Sequence, residues 1–428
     1  MIDERGLMDG NWPAIYERTL DCVHCGLCLP VCPTYRETGR ETSSPRGRIY
    51  MLRAVAENRS PLSDVIAEEA YLCLGCRACE TACPSGVKFG SMLELARAEI
   101  DRSGLRRGWA IRWERWALRG LVANPWRLSF AISLLRAVQR FHLDRLVAGL
   151  LPKALRELCA LAPTVPPARE RRPLPAFSPA VGEKRGRVAL FVGCVMPELF
   201  GSVNAATVRV LSRNGFEVVI PRSQGCCGAL HAHTGDLEFA RALARRNLEA
   251  FSAVDHDAVI VNSAGCGAVL RELEEWLPGE GASLARRVRD VSEFLDAVGL
   301  RPPNSRIESR VCYDDPCHLV HGQRVGAAPR RLLEQIPGLE LAAHDDPTAC
   351  CGAAGIYNLT HRAMSRAVLE RKMQSLGAAD PDYVATGNPG CLMQLRAGVA
   401  AAGLRAEVVH PIELLDRAYA HAPWAVES

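Results

Sequence analysis

CVHCGLCLPVCP, Cys22 to Pro33, and CLGCRACETACP, Cys73 to Pro84, carry one pattern, Cys-x-x-Cys-x-x-Cys-x-x-x-Cys-Pro. Three thiolates spaced two residues apart wrap a cluster corner from a tight loop. The fourth, followed by a proline that cannot continue a helix, leaves toward a neighbouring cluster. The spacing predicts two 4Fe-4S cubanes with crossed ligation, one on Cys22, Cys25, Cys28 and Cys83 and the other on Cys73, Cys76, Cys79 and Cys32. Zinc also takes Cys-x-x-Cys, but it closes at four tetrahedral ligands and has no use for triplets with a displaced fourth cysteine. Disulfides are disfavoured because MIDERGLMDG has no apolar signal region, and the chain is expected to be cytoplasmic.

At 428 residues the chain has room for two or three domains with substantial cores. A net charge of +4 over that length gives no argument for nucleic acid, and none is expected as a partner. Of the 18 cysteines, Cys159 and Cys312 alone fall outside a cluster pattern and read as buried thiols. No apolar run is long enough to cross a bilayer, so any membrane contact is expected to be peripheral, on the cytoplasmic face.

Residues 1–100 are expected to form an α+β, mostly helical, ferredoxin-like two-cluster domain. SSPRGRIYMLRAVAEN reads as a helix starting near Pro45, with Arg46 and Arg48 either facing the clusters or exposed in its first turn. Residues 87–101 read as a second helix. Residues 101–180 are expected to be a helical segment and linker. From Asp101 to Lys153, eleven Arg and Lys stand against three Asp and Glu, and Trp109, Trp113, Trp116 and Trp126 are interleaved with them. Such amphipathic helices are expected to lay their apolar stripe on the protein's own core, with an anionic membrane surface or another domain or subunit as the other occupants. Residues 163–179, rich in proline, read as an extended linker.

Beyond the linker the chain repeats itself. FVGCVMP (Cys194), QGCCGAL (Cys226, Cys227) and NSAGCG (Cys266) return as YDDPCHL (Cys317), ACCGAAG (Cys350, Cys351) and GNPGC (Cys391), at offsets of 123, 124 and 125 residues. Near-constant offsets indicate two copies of one module, placed at 181–305 and 306–428. Short β-branched runs such as RVALFVGC and DAVIVNSAGC alternate with helical patterns such as DLEFARALARRNLEAF. This predicts two repeated α/β parallel-sheet domains with cysteines at the carboxyl ends of strands, where ligands collect.

Two cluster runs followed by two cysteine-rich CCG domains resemble the iron-sulfur subunit of glycolate oxidase. The phrases SSPRGRIYMLRAV, CRACETACPSGVKFG, GCCGALHAHTGD, DDPCHLVHGQ, CCGAAGIYN and YVATGNPGCLMQL carry the resemblance over nearly the whole chain. Subunits of lactate and anaerobic glycerol-3-phosphate dehydrogenases, and of heterodisulfide reductases, are similar in layout. In the last of these a CCG motif ends in Cys-x-x-Cys and supplies five thiolates to a non-cubane cluster; here the fifth positions are Val269 and Gln394, which puts disulfide reduction in doubt. Four thiolates per copy remain, with Cys317, Cys350, Cys351 and Cys391 the better candidate for a further iron-sulfur centre and Cys194, Cys226, Cys227 and Cys266 the other. His231, His233, His318 and His321 match the family phrases and are either proton donors and partners to cluster sulfur or ordinary structural histidines.

No strand is followed by a G-x-G-x-x-G turn and a helix, so the chain shows no flavin or dinucleotide site of its own. Hydride removal from a 2-hydroxy acid needs such a cofactor. The resemblance therefore implies an electron-transfer subunit with no substrate-catalytic residues, taking electrons from a flavin-containing dehydrogenase subunit that oxidises glycolate and passing them toward a quinone-type membrane acceptor. The alternatives are the lactate or glycerol-3-phosphate complexes, a heterodisulfide reductase-like subunit, and a zinc-stabilised binding module.

Overall fold

The computed structural model describes residues 9–142 and 162–419; Cys159 lies outside them. The described part of the N-terminal region contains helices and no strand: α1 (Trp12–Leu20), α2 (Pro33–Thr38), α3 (Pro45–Ala56), α4 (Asp64–Leu72), α5 (Ala78–Thr81) and α6 (Phe89–Ser103). Ser44 starts α3 by accepting the Gly47 N–H at 3.0 Å, with Pro45 at the first helical position, where no donor is needed. Gly47 is required there, because a Cβ would lie 2.0 Å from the Glu41 carbonyl oxygen. Ile15, Leu52, Val55, Met92 and Ile100 form the core of this helical layer.

Two further helices, α7 (Trp109–Trp116) and α8 (Pro125–Arg140), are joined through a π-helical turn at Ala117–Val122. The proline-rich stretch after them is held more firmly than a linker. Arg171 pairs with Glu198 at 2.8 Å and donates to Ser133 Oγ, and β1 (Phe177–Ser178) adds an antiparallel edge to the first sheet.

That sheet contains β2 (Gly186–Phe191), β3 (Phe216–Val219), β4 (Ala258–Val261) and β5 (Val288–Asp290) in the order β1-β3-β2-β4-β5. The second, β6 (Ser309–Tyr313), β7 (Leu339–Leu341), β8 (Tyr383–Ala385) and β9 (Glu407–Val409), runs β7-β6-β8-β9. Apart from β1, all pairings are parallel and the two orders are identical, as expected of a duplicated module. Val188–Phe191 and Ala258–Val261 are buried without alternation, because helices cover both faces.

The copies pack reciprocally around one continuous core. The helix after the first strand of one copy meets the last helix of the other: Gly201–Arg213 lies on Pro411–Ala418, and Ala328–Glu334 lies on Val291–Val298. Arg209 reaches Asp416 at 2.6 Å across the first of these contacts. The N-terminal helices straddle both copies. Arg97 of α6 donates to His233 O in the first, while Arg36 of α2 pairs with Asp346 in the second.

Candidate iron-sulfur centres

The two N-terminal cysteine runs trace one backbone. His24 and Gly26 in the first, and Gly75 and Arg77 in the second, take left-handed conformations at matching positions, with φ of 55°, 85°, 64° and 64°. Each triplet curls around a recess. Cys22, Cys25, Cys28 and Cys83 line the first, together with Cys79 and Arg46. Cys32 leaves its own triplet and faces Cys73 and Cys76, near enough for burial and their charges to push its thiol up. Burial first, then Cys76, Cys73, Glu80 and Cys32, pushes Cys79 well above the ordinary thiol range. Thiols packed this closely cannot all ionise unless a cationic centre compensates them, and soft sulfur donors are what iron-sulfur clusters take. The residues fit the group.

Supporting donors are in place. The Gly75 N–H points at Cys73 Sγ at 3.4 Å, and Cys32 Sγ lies 3.2 Å from Thr34 Oγ1. Arg48 is not an exposed first-turn arginine. It is 1% exposed and donates to Ser43 O and Thr34 Oγ1, forming a wall behind Cys32. Arg46 rims the first recess, paired with Glu41 and donating to His24 O.

In both C-terminal copies the cysteines fall at the crevice where strand order reverses. Cys194 follows β2 and Cys266 follows β4, as Cys317 follows β6 and Cys391 follows β8, while the Cys-Cys pair comes from the loop after the neighbouring strand. In the first copy Cys194 meets Cys226, and Cys227 meets both Cys226 and Cys266. In the second, Cys350 meets Cys317 and Cys351, and Cys351 Sγ lies 3.3 Å from Cys391 Sγ. Donors again face sulfur: Gly228 N–H to Cys226 at 3.5 Å, Ser263 Oγ to Cys266 at 3.3 Å, Gly352 N–H to Cys350 at 3.4 Å and Asn388 Nδ2 to Cys391 at 3.5 Å. Each copy thus gathers four thiols. The fifth positions are built for other purposes, Val269 in the apolar core and Gln394 donating to Ser365 Oγ at 3.0 Å.

Two long-range features escaped the sequence reading. Cys76 and Cys350 share one buried cluster with Leu74, Tyr357 and Val368, near enough for each thiol to shift the other, so the N-terminal thiols adjoin those of the second copy. His233 of the first copy and His318 of the second face each other with ring centroids 5.7 Å apart, and Glu94 holds His233 at 3.2 Å. Burial, then the neighbouring His233 and Arg77, lower His318 to about 3, so it is neutral. His321 bridges Thr81 Oγ1 and Thr348 O, tying α5 to the second copy. His231 is buried against Cys226 and the Phe239 ring. Cys312 lies in β6, where burial pushes its thiol up to about 11, as an inert core thiol.

Lys372 supplies the second copy with a buried cation. It pairs with Asp314 at 2.7 Å, both almost fully buried. Burial pushes Asp314 up to about 7 against the pull of that ammonium.

Residues 18–87 match the model of a 4Fe-4S dicluster domain, and residues 188–271 and 311–396 each match that of a cysteine-rich domain. The chain is 38% identical over 418 residues to a probable glycolate oxidase iron-sulfur subunit of Bacillus subtilis, covering 94% of each. It is 34% identical over 406 residues to the glycolate oxidase iron-sulfur subunit of Escherichia coli, covering 93% of each. The chain belongs to the glycolate oxidase iron-sulfur subunit family. One of the subunits of the fumarate reductase (CoM/CoB) of Methanothermobacter marburgensis is 28% identical over 408 residues, covering 93% of this chain and 72% of that one. Membership makes iron-sulfur clusters the chain's cofactors and electron transfer its role. No helix among the described residues is long and apolar enough to cross a membrane.

Proposed function

We propose that the chain is the electron-transfer subunit of a glycolate-oxidising complex, receiving electrons from a flavin-containing partner and delivering them to a quinone-type acceptor. The observation that supports this best is the contact between Cys76 and Cys350, which joins the two-cluster region to the second cysteine-rich copy. Clusters held by these thiols supply one-electron exchange with little rearrangement. The chain's own residues pin the loops that carry the thiols: Arg97 holds the Cys73 carbonyl, Arg48 backs Cys32, and the Tyr357 hydroxyl donates to Leu72 O at 2.7 Å beside them. Purified chain, loaded with iron and sulfide but lacking its partner, is expected to leave glycolate unoxidised with a dye acceptor. Glyoxylate formation by the lone chain sinks the division of labour.

The ligand sets proposed are Cys22, Cys25, Cys28 and Cys83; Cys73, Cys76, Cys79 and Cys32; and a further centre on Cys317, Cys350, Cys351 and Cys391, with Cys194, Cys226, Cys227 and Cys266 the equivalent set. The crossed arrangement, ferredoxin-like in its ligation although the described backbone is helical, is supported by Cys83 lying in the Cys22–Cys25–Cys28 recess. Cys83→Ser is expected to abolish the paramagnetic signal of that cluster and spare its neighbour; loss of the Cys73–Cys76–Cys79 signal instead removes the crossing. Domain limits of 1–100, 101–180, 181–305 and 306–428 accompany this reading, together with a location on the cytoplasmic face of a membrane.

A further inference from the structure

The helices α7 and α8 present their aromatic residues to solvent. Trp109, Trp113 and Trp116 are 77%, 59% and 58% exposed, and no residue of α7 is buried. Along α8, Trp126, Phe130, Leu134 and Phe141 are 60–67% exposed. They recur at i, i+4, i+8 and i+15, one stripe of a helix surface and its continuation. The opposite stripe, Leu128, Ile132 and Leu135, is the one that packs inward. The expected packing of an apolar stripe on the core thus holds for α8, which has two apolar faces and turns the less aromatic one inward, and does not hold for α7, none of whose residues is buried.

Between the helices lies an open recess of about 650 Å³ walled by Arg106, Arg107, Arg112, Arg115, Arg119 and Arg127. Three of these guanidinium groups are neutralised within the chain, Arg106 by Glu114, Arg115 by Asp101 and Arg119 by Asp236. Arg107 and Arg112 have no acidic partner among the described residues, and Arg127 meets only the Gly120 carbonyl and the Trp126 ring. An excess of three cations is thus set beside a ridge of seven large apolar side chains, six of them indole or phenyl groups. A protein surface of this make-up matches a lipid headgroup layer, in which repeated phosphodiesters meet the arginines and the rings settle at the boundary with the acyl chains.

We propose that α7, α8 and the arginine recess between them form a docking site for anionic phospholipid, with Arg107, Arg112 and Arg127 taking headgroup phosphates and the aromatic ridge inserting beside them. The proposal rests on the reading that the electron acceptor is held in a membrane. It also orients the chain, since α8 packs against Met196–Leu199, two residues beyond Cys194. The first cysteine-rich copy is then the one carried on the membrane side.

The test uses the full cluster-loaded chain and vesicles of phosphatidylcholine with or without phosphatidylglycerol. Binding is expected to the mixed vesicles alone, to weaken with added salt, and to quench tryptophan fluorescence when the phosphatidylglycerol acyl chains are brominated. The combined Arg107→Gln, Arg112→Gln and Arg127→Gln variant is expected to bind on the order of a hundredfold more weakly, from about fivefold per arginine. Its iron content and visible spectrum should be unchanged, which checks the fold. Equal binding to both vesicle types, or undiminished binding by the variant, overturns the proposal. So does occupation of the recess by inorganic phosphate without vesicle binding, which makes it a soluble-anion site. If the variant instead loses its flavin partner while wild type ignores vesicles, the face is a protein interface and the lipid assignment falls. A chain that passes electrons from its partner to a soluble dye but ignores vesicles removes the docking site and leaves the relay standing; one that binds vesicles but passes no electrons does the reverse.

Discussion

The two cysteine-rich copies have the same strand order, the same cysteine loops and reciprocal helix contacts, yet their thiols meet different neighbours. In the second copy Cys350 is buried beside Cys76, a buried Lys372–Asp314 pair lies close by, and Tyr357 ties the cluster to α4. In the first, Cys226 meets His231, and Cys194 lies beside the segment that carries α8. Duplication supplied two equal scaffolds, and the N-terminal helices broke the equality by docking cysteine against cysteine on one side only. Scaffold is thus separable from wiring: a strand order fixes where a centre can sit, and its neighbours fix what it exchanges electrons with.

The largest expected effect tests that separation. Cys350→Ser and Cys227→Ser are each expected to cost about four irons per chain if both copies carry a centre. Cys350→Ser alone is expected also to change the paramagnetic spectrum of the Cys73–Cys76–Cys79–Cys32 cluster, through the Cys76 contact. Unchanged iron in Cys350→Ser removes the second-copy centre, and identical spectra in the two variants make the asymmetry inconsequential.

How much of this was legible in the sequence depends on the range of the interaction. The cysteine runs, the start of α3 at Pro45 and the equal offsets between copies are local or periodic, and each reappears in the structure. Cys76 against Cys350 and His233 against His318 join residues hundreds or scores of positions apart, and no local spacing announces them. The α8 helix failed for another reason. Leu128, Ile132 and Leu135 make as good an apolar stripe as Trp126, Phe130 and Leu134, so periodicity identified an amphipathic helix without saying which stripe faces inward. The proline-rich stretch hid β1, because two residues of antiparallel pairing leave no periodic trace.

A middle-sized effect separates how the N-terminal helices grip each copy. On the first, the buried Arg97 guanidinium donates to the His233 carbonyl oxygen while also holding the Ala70 and Cys73 carbonyls of the N-terminal region. On the second, Arg36 meets Asp346 at 2.7 Å in an exposed pair. Arg97→Met strands buried acceptors and is expected to cost about 3 kcal/mol in chemical denaturation. Asp346→Ala should cost less than about 1 kcal/mol. Equal losses would show that the exposed pair is as important to docking as the buried one.

The last effect, largely cancelled in the wild type, concerns one position filled oppositely in the two copies, the N-cap of the helix after the last strand. Asp290 fills it in the first, accepting the Ser292 N–H at 2.8 Å; His410 fills it in the second, accepting the Ile412 N–H on Nδ1 and donating from Nε2 to Asn262 O, both at 3.1 Å. Burial pushes Asp290 from 3.8 up to about 7 and His410 from 6.5 down to about 4. Between about pH 4 and 6.5 the folded chain therefore holds a protonated Asp290 and a neutral His410, and the unfolded chain holds the reverse. For His410 the unfolded state binds the extra proton, so its share of stability is lost as pH falls; for Asp290 the folded state binds it, so its share is lost as pH rises. The two slopes oppose each other at about 1.4 kcal/mol per pH unit each. His410→Asn, whose amide can still cap the helix, should leave Asp290 unopposed and make stability fall with rising pH relative to wild type. Asp290→Asn should tilt the curve the other way. Denaturation midpoints of the three proteins across this window measure both tilts, and parallel curves would mean that neither cap changes its proton on unfolding.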